Sequence, residues 1–335
     1  MRWVLAFAIP ACAVACSHGG NSGGGGNVGQ TANASSASTT NASSVGSSST
    51  TTSSSSGTGG ALPTCTGKSG PAGEQDLTIM SSGVARSYRI HVPQSYDPTK
   101  GAELVLAFHG YGDAVGDFEG LTNFVPVSDA KGFLLVYPVG VAPLGVPGWN
   151  AGTCCGSAQI ANTPDVQFVH DLIDKLEADY CVDPKRVFAT GFSNGGMLSH
   201  RLACELSDRI AAIGAVSGTM AVSTCNPTRP VPVLHIHGTA DPVIAYGGGP
   251  FAQSVADTIA GWVMRNGCNP VATQIYLMGS AHCEIHTGCI QGADVELCTI
   301  EGGVHEWPGG GTAMGMGDLD ASSRILAFFD AHPMP

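Results

Sequence analysis

The chain has 335 residues, and only 12% of them are charged, against roughly 25% in an ordinary soluble domain. Its formal net charge is −12. A chain this acidic offers no basic surface to phosphate groups, so we expect no nucleic-acid partner and no electrostatic attraction to anionic lipid.

An apolar run near the amino terminus has the length of a secretion signal. It extends from Trp3 to Val14, shorter than the roughly 20 residues that cross a bilayer. It ends at Ala13-Val14-Ala15-Cys16, which resembles a bacterial lipobox with Cys16 as the lipidated residue. Cleavage by an ordinary signal peptidase is the alternative. We predict a signal peptide over residues 1–16 and a secreted protein, with attachment to the bacterial cell envelope only through a lipid on Cys16.

Residues 17–60 have the composition of a flexible chain. They contain no Asp, Glu, Lys, Arg or aromatic residue and are mostly Ser, Thr, Gly, Asn and Ala. Such a segment cannot bury a core, and we predict a disordered tether, or a plain disordered leader if no lipid is attached. No second change in composition follows, so residues 61–335 are expected to form one folded domain.

The cysteine content of this domain predicts disulfide bonds. An even number of cysteines is typical of disulfide frameworks in exported proteins. Their pairing cannot be derived from the sequence, but we expect the adjacent Cys154 and Cys155 to bond two different partners rather than each other. Zinc-like spacing is absent, and His282 and His286 are not expected to hold a metal, so no metal site is predicted. The ten cysteines are Cys65, Cys154, Cys155, Cys181, Cys204, Cys225, Cys268, Cys283, Cys289 and Cys298.

Short apolar runs alternate with helical patterns along the domain. Near-continuous apolar runs bounded by turns are typical of buried parallel strands, and their alternation with helices predicts an α/β fold with a mostly parallel central sheet and helices on both faces. The predicted strands are 87–92, 103–108, 132–137, 186–190, 210–216, 231–236 and 294–300. The predicted helices begin near Thr163 and cover roughly 195–206, 254–265 and 319–331.

A candidate nucleophile lies between a predicted strand and a predicted helix. Gly191-Phe192-Ser193-Asn194-Gly195 matches the Gly-x-Ser-x-Gly elbow, whose small residues permit the sharp turn that presents a serine hydroxyl. A second match at residues 20–24 lies in the predicted tether, without a strand or helix around it. We therefore assign the nucleophile to Ser193, a simple tight turn being the alternative.

A serine nucleophile needs a histidine base and a carboxylate that orients it, in the order Ser, acid, His for this type of fold. Asp241 follows a buried strand, where open α/β sheets place their sites, although an aspartate before Pro242 could also simply start a turn. His305 lies on a Gly-rich loop after the last predicted strand. The remaining central histidines, His200, His235 and His237, are expected to be neutral and hydrogen-bonded.

The oxyanion of the transition state needs backbone donors. We expect the N–H of Asn194, which follows the nucleophile, and the N–H of Tyr111, in the loop after an early strand. The side chains of Tyr111, Trp149 and Trp307 are candidates for an aromatic substrate-binding wall, with core packing as the alternative for each. This chemistry requires no cofactor.

With these motifs in place, the chain resembles the secreted esterase family that joins feruloyl esterases, acetylxylan esterases and polyhydroxybutyrate depolymerases. The resemblance spans roughly residues 85–330 and implies an α/β-hydrolase with Ser193 as nucleophile, Asp241 as acid and His305 as base. It is carried by the segments His91-Val-Pro-Gln-Ser-Tyr96, Leu104-Val-Leu-Ala-Phe-His-Gly110, Gly191-Phe-Ser-Asn-Gly-Gly196, His237-Gly-Thr-Ala-Asp-Pro242 and His305-Glu-Trp-Pro-Gly309.

The resemblance implies a serine carboxylic-ester hydrolase that removes acyl groups, above all feruloyl groups, from xylan-type plant polysaccharide through an acyl-enzyme intermediate. Acetylxylan esterase and polyester depolymerase are the alternatives, so the expected partner is an acylated polysaccharide or a polyester. Depolymerases of this family often have a cysteine where this chain has Tyr111, and they commonly carry a separate polymer-binding module. A non-catalytic glycan-binding lipoprotein is a more remote alternative.

Overall fold

Ten strands form one sheet in a computed structural model of the chain, which describes residues 65–311 and 317–335. The predicted signal peptide, Cys16 and the tether lie outside the described residues. The strands are β1 (Gly73–Ser81), β2 (Val84–Val92), β3 (Ala102–Phe108), β4 (Leu134–Pro138), β5 (Val182–Phe192), β6 (Ile213–Val216), β7 (Val233–Gly238), β8 (Thr273–Met278), β9 (Ala281–His286) and β10 (Val295–Ile300).

The centre of the sheet is parallel and its two edges are antiparallel. The strand order is β1-β2-β4-β3-β5-β6-β7-β10-β9-β8, and all neighbours from β4 to β10 run parallel. Two antiparallel strands extend the sheet at either edge. The mostly parallel sheet was predicted, but β1, β8 and β9 were not, because antiparallel strands with one solvent-facing side lack a continuous apolar run.

Helices cover both faces of the sheet, as predicted. They are α1 (Val115–Thr122), α2 (Phe124–Lys131), α3 (Gly156–Ile160), α4 (Asp165–Asp179), α5 (Asn194–Glu205), α6 (Val255–Asn266) and α7 (Ala321–Ala331). The sequence predicted α4 to α7, whereas the short helices α1 to α3 were not recognised. In the described ranges, none of the helices combines the length and the apolar character that crossing a bilayer requires.

The core has two layers, one on each side of the sheet. Side chains alternate across β3, so Leu106 packs in one layer with α4, α5 and α6, while Val105 packs in the other with α1, α2 and α7. Strands buried on both faces are mostly apolar along their length, which is the pattern that revealed them in the sequence.

The parallel strands end at one edge of the sheet, and this edge collects the predicted site. The loops after β3, β5, β7 and β10 carry Tyr111, Ser193, Asp241 and His305 respectively. Because parallel strands share their direction, residues far apart in the chain become neighbours here.

All ten cysteines of the domain form disulfide bonds, as predicted from their number. The expectation for Cys154 and Cys155 was wrong, since the two are bonded to each other. The other eight described cysteines pair among themselves, which leaves these two no other described partner. Those four bonds are Cys65–Cys181, Cys204–Cys225, Cys268–Cys289 and Cys283–Cys298.

Candidate active site

Ser193 occupies a sharp turn between β5 and α5. Its backbone has φ of 52° and ψ of −119°, a conformation that costs a residue with a side chain about 1–3 kcal/mol. The glycines on either side permit the turn, because a Cβ on Gly195 would lie 2.1 Å from the carbonyl oxygen of Phe108 and one on Gly191 would lie 2.4 Å from Gly195. Crowded backbone thus holds Ser193 in its strained conformation.

The turn places Ser193 directly before the first residue of a 12-residue helix. The N–H of Ser193 donates to the carbonyl oxygen of Val216 on β6 at 2.8 Å, which ties the elbow to the neighbouring strand. The residue is 9% exposed, so only a small part of its surface meets solvent. The positive end of the helix dipole favours negative charge at this position.

Asp241 lies in the loop after β7 and accepts hydrogen bonds on both carboxylate oxygens. Oδ1 accepts from the N–H groups of Val243 and Ile244 at 2.8 and 2.9 Å. Oδ2 lies 2.7 Å from Nδ1 of His305 and 3.3 Å from Nε2 of His237. The residue therefore both starts a turn and orients a histidine, so the two interpretations of its position are compatible.

These contacts set the charge of Asp241. Burial alone raises the pKa of a carboxyl group, but hydrogen bonds from His237, His305 and the two amides outweigh it and hold the pKa of Asp241 well below its ordinary value. The group is a carboxylate at neutral pH and can stabilise a positive charge on His305.

His305 lies between the carboxylate and the elbow. Its Nδ1 faces Asp241, and its ring lies 4.8 Å from the ring of Phe192, the residue before Ser193. The side chain is 15% exposed. Among the described residues, no hydrogen bond joins the Ser193 hydroxyl to Nε2 of His305, a contact that in hydrolases often forms only with substrate bound.

The loop after β3 is shaped by hydrogen bonds that leave one amide available. The N–H of Gly110 donates to Oδ2 of Asp113 at 3.0 Å, and that of Gly112 donates to the carbonyl oxygen of Pro147 at 2.8 Å. In the described structure the N–H of Tyr111, between them, has no hydrogen-bond partner. It is free to donate to an oxyanion.

His109 fixes the same loop, a role that the sequence did not reveal. Its Nε2 accepts from the N–H of Gly140 at 2.9 Å, so its proton is on Nδ1, which donates to the carbonyl oxygen of Gly110 at 2.7 Å. Burial lowers the pKa of His109 and favours the neutral ring that this bridge requires.

Asn194 also has a contact that the sequence could not indicate. Its side-chain oxygen accepts from the N–H of Trp149 at 2.7 Å, and its amide nitrogen donates to the carbonyl oxygen of the same residue at 3.1 Å. The backbone N–H of Asn194 lies at the start of α5, where helical amides have no partner within the helix. It is available to donate to an oxyanion.

The prediction of an aromatic substrate-binding wall is wrong for two of its three residues. Trp149 is completely buried, packs edge-on against Phe108 and donates its indole N–H to the carbonyl oxygen of His109. Trp307 is 1% exposed and donates to Ser322 in the other core layer. Neither can contact a substrate in this structure, because core packing covers both rings. Tyr111 is 43% exposed and is the one predicted member that can.

One group of side chains has metal-ligand chemistry among the described residues, namely Cys283, Glu296 and Cys298. The two cysteines are joined in a disulfide bond, and the carboxylate of Glu296 pairs with Arg324 at 2.5 Å. Their ligand atoms are therefore occupied, and the group does not fit a metal site.

The parallel sheet and the strained serine turn define an α/β-hydrolase, the predicted fold class. A family model described as Phospholipase/Carboxylesterase matches residues 157–266. Acetyl xylan esterase from Aspergillus awamori has the same fold, with a TM-score of 0.58 over 77% of this chain and 99% of that chain, at 16% identity.

Sequence relatives identify the particular family. A probable feruloyl esterase C of Aspergillus flavus is 31% identical over 251 residues, 73% of this chain and 84% of that relative. Feruloyl esterase B of Piromyces equi is 32% identical over 235 residues, which are 66% of this chain but only 42% of that protein. The chain belongs to this family of carboxylic-ester hydrolases, and it spans less than half the length of the second relative.

Proposed function

We propose that the protein is a secreted serine esterase that removes feruloyl groups from xylan-type plant polysaccharide. The observation that carries the proposal is the 2.7 Å contact between Asp241 and His305 at the sheet edge that also carries the strained Ser193. A neutral imidazole held in one tautomer by a buried carboxylate is the base that a serine nucleophile needs.

The reaction proceeds in two steps. His305 takes the hydroxyl proton of Ser193 on Nε2 while the serine oxygen attacks the ester carbonyl, and the amides of Tyr111 and Asn194 donate to the resulting oxyanion. The bond to the sugar oxygen breaks as His305 returns the proton to it, leaving an ester on Ser193. Water, deprotonated by His305, then attacks this ester and releases the acid and the serine hydroxyl.

Feruloyl specificity is supported by the names of the relatives and by the exposed ring of Tyr111, which can contact a phenolic acyl group. The burial of Trp149 and Trp307 removes the rest of the expected aromatic wall, so acetyl groups remain the main alternative. Secretion is supported by the five disulfide bonds of the described domain. Lipid attachment at Cys16 stays a prediction.

The test compares the full chain with its Ser193→Ala variant on methyl ferulate, p-nitrophenyl acetate and a short 3-hydroxybutyrate oligomer. We expect methyl ferulate to be the best substrate of the wild type and the variant to lose turnover by at least about 10³-fold on all three. The matched control is Ser95→Ala, which removes a hydroxyl remote from the elbow. Preference for the oligomer would instead assign the protein to polyester degradation, and an inactive wild type would favour glycan binding alone.

A further inference from the structure

Three buried histidines connect α6 to the candidate acid. The indole N–H of Trp262 donates to Nδ1 of His200 at 3.0 Å. Nε2 of His200 lies 3.3 Å from Nδ1 of His235, and Nε2 of His235 lies 3.0 Å from Nδ1 of His237. Nε2 of His237 then faces the carbonyl oxygen of Ile244 at 2.8 Å and Oδ2 of Asp241 at 3.3 Å. We call His200, His235 and His237 the histidine chain.

The chemistry of the two ends fixes the direction of every hydrogen bond in the histidine chain. An indole N–H can only donate, so Nδ1 of His200 must accept and its proton must be on Nε2. The same reasoning puts the proton of His235 on Nε2, and then that of His237. At the other end, a carboxylate and a carbonyl oxygen can only accept, which also requires the proton of His237 on Nε2. Both ends therefore demand the same arrangement.

The rings of the histidine chain are isolated from solvent. His200, His235, His237 and Trp262 are all completely buried. Burial, with a smaller contribution from the charge of Arg265, lowers the pKa of His200 to about 3. Burial and the neighbouring rings hold the pKa of His235 well below its ordinary value.

His237 is the member on which a charge would matter most. The titratable groups that face it are His235 on the same strand, Asp241 in the following loop and Tyr246, whose ring lies 5.8 Å away. His305 lies beyond them on the same carboxylate oxygen. An imidazolium at His237 would compete directly with His305 for the charge of Asp241.

We propose that the histidine chain keeps His237 neutral, so that the negative charge of Asp241 is reserved for His305. The proposal rests on the proposed function of Asp241 and makes His237, His235 and His200 positioning residues. To gain a proton on Nδ1, His237 would need a lone pair on Nε2 of His235, which would have to turn its own proton toward His200. His200 would then point a proton at Trp262, whose indole cannot accept it.

Trp262 is therefore the residue that blocks proton uptake. An apolar side chain in its place would let the histidine chain reverse and accept a proton without two donors facing each other. An apolar core at these positions would be simpler to pack than three buried rings, since a polar network is costly unless every member is satisfied.

The test uses Trp262→Phe in the full chain with ¹⁵N-labelled histidine. In the wild type, we expect the imidazole resonances of the histidine chain to show neutral rings protonated on Nε2 from pH 8 to pH 5. In the variant, one ring should take up a proton in this range, and kcat should fall by about tenfold more than in the wild type between pH 8 and pH 6, with KM unchanged. The control is Tyr137→Phe, which removes a buried hydrogen bond to Thr122 in the other core layer.

A second pair of variants separates charge control from packing if Trp262→Phe does not fold. Gln at position 235 can accept from His200 and donate to His237, so His235→Gln should retain the wild-type pH profile. Met at position 235 has no donor and a weak thioether acceptor that faces Nδ1 of His237, so His235→Met should gain the new ionisation. Identical pH profiles for all folded variants and the wild type, with no additional titrating ring, would overturn the proposal. The resonances do not depend on turnover, so this result is separate from that of Ser193→Ala.

Discussion

Ser193 and Asp241 lie at the same edge of the sheet, but their surroundings differ in kind. Around Ser193 the constraints are steric, because backbone atoms approach the glycine positions so closely that no Cβ fits. Around Asp241 they are polar, because four donors from three segments converge on one carboxylate. A steric constraint requires glycine at fixed positions, so it is visible as a sequence pattern. A convergent hydrogen-bond network requires only that donors from different segments meet in space, so it is not visible as a sequence pattern.

The largest effect is expected where the steric constraint is broken. In Gly195→Ala the new Cβ would lie 2.1 Å from the backbone oxygen of Phe108, which cannot move aside as a flexible side chain could. We expect turnover of p-nitrophenyl acetate to fall by at least about 10³-fold and the free energy of unfolding to fall by about 3 kcal/mol. Steady-state kinetics and urea denaturation would measure the two changes.

Gly116→Ala is the control for this prediction. It lies inside α1, and apart from the backbone of α1 and the two neighbouring residues nothing lies within 4 Å of its added Cβ. It should leave turnover unchanged and raise the free energy of unfolding by about 0.5–1 kcal/mol, the usual gain for this replacement within a helix. A Gly195→Ala enzyme within tenfold of the wild type would show that crowding does not hold the nucleophile.

Asp241→Asn disrupts the hydrogen-bond network around the carboxylate. Asparagine keeps the shape of the side chain but would direct an NH₂ group at donors that now face an acceptor-only carboxylate. We expect kcat for methyl ferulate to fall by about 10³–10⁴-fold with little change in KM, because His305 would lose its tautomer and its counter-charge. Asp257→Asn, at an exposed carboxylate on α6, should leave kcat unchanged. Equal effects of the two substitutions would argue against Asp241 as the acid.

The fold and the sharp turn at Ser193 were predictable because their causes are local. Every strand of the parallel centre shows in the sequence as an apolar run, and the elbow shows as two glycines around Ser193. The antiparallel strands β1, β8 and β9 were missed, since they are only partly buried and carry mixed residues. The pattern of apolar residues in the sequence thus identifies the buried strands of the sheet better than the strands at its margins.

The surroundings of the site were much less predictable. Trp149 was expected to line the site and is instead core, because a tryptophan on a loop gives no sign of which way its ring points. His237 was expected to be hydrogen-bonded, and its contact with Asp241 depends on a loop conformation that no spacing rule gives. The hydrogen bonds between the side chain of Asn194 and the backbone of Trp149 join residues 45 positions apart.

Steric and polar constraints should also differ in how they make the free energy of unfolding depend on pH. His200, with a pKa of about 3 when folded, stays neutral in the native protein, but in the unfolded chain it binds a proton below about pH 6.5. The unfolded state then holds more protons, so the free energy of unfolding decreases as pH falls, by about 1.4 kcal/mol per pH unit for this one residue between about pH 6.5 and pH 3. His235 acts in the same direction.

Urea denaturation between pH 7.5 and pH 4.5 measures this slope. His200→Gln, which cannot titrate, should reduce the slope by about 1.4 kcal/mol per pH unit. Gly195→Ala should lower the free energy of unfolding by the same amount at every pH, since a steric clash involves no proton. Asp241, with its pKa lowered, contributes stability above about pH 4 that is lost only at still lower pH, outside this window. An unchanged slope in His200→Gln would contradict the neutral buried ring.

The smallest effect is expected at Tyr111. The exposed side of its ring is fixed neither by close backbone contacts nor by hydrogen bonds. Its ring is 43% exposed and lies against the backbone of Gly148 and Gly156, where added Cβ atoms would come within 2.7 and 2.5 Å of it. Tyr111→Ala keeps the backbone N–H and removes only the ring, so KM for methyl ferulate should rise by about fivefold while that for p-nitrophenyl acetate changes by less than about twofold. Tyr111→Phe, which keeps the ring, should match the wild type on both esters. Equal changes on both esters would mean that the ring does not contact the acyl group, and the exposed ring of Tyr111 would then no longer support the proposed feruloyl specificity.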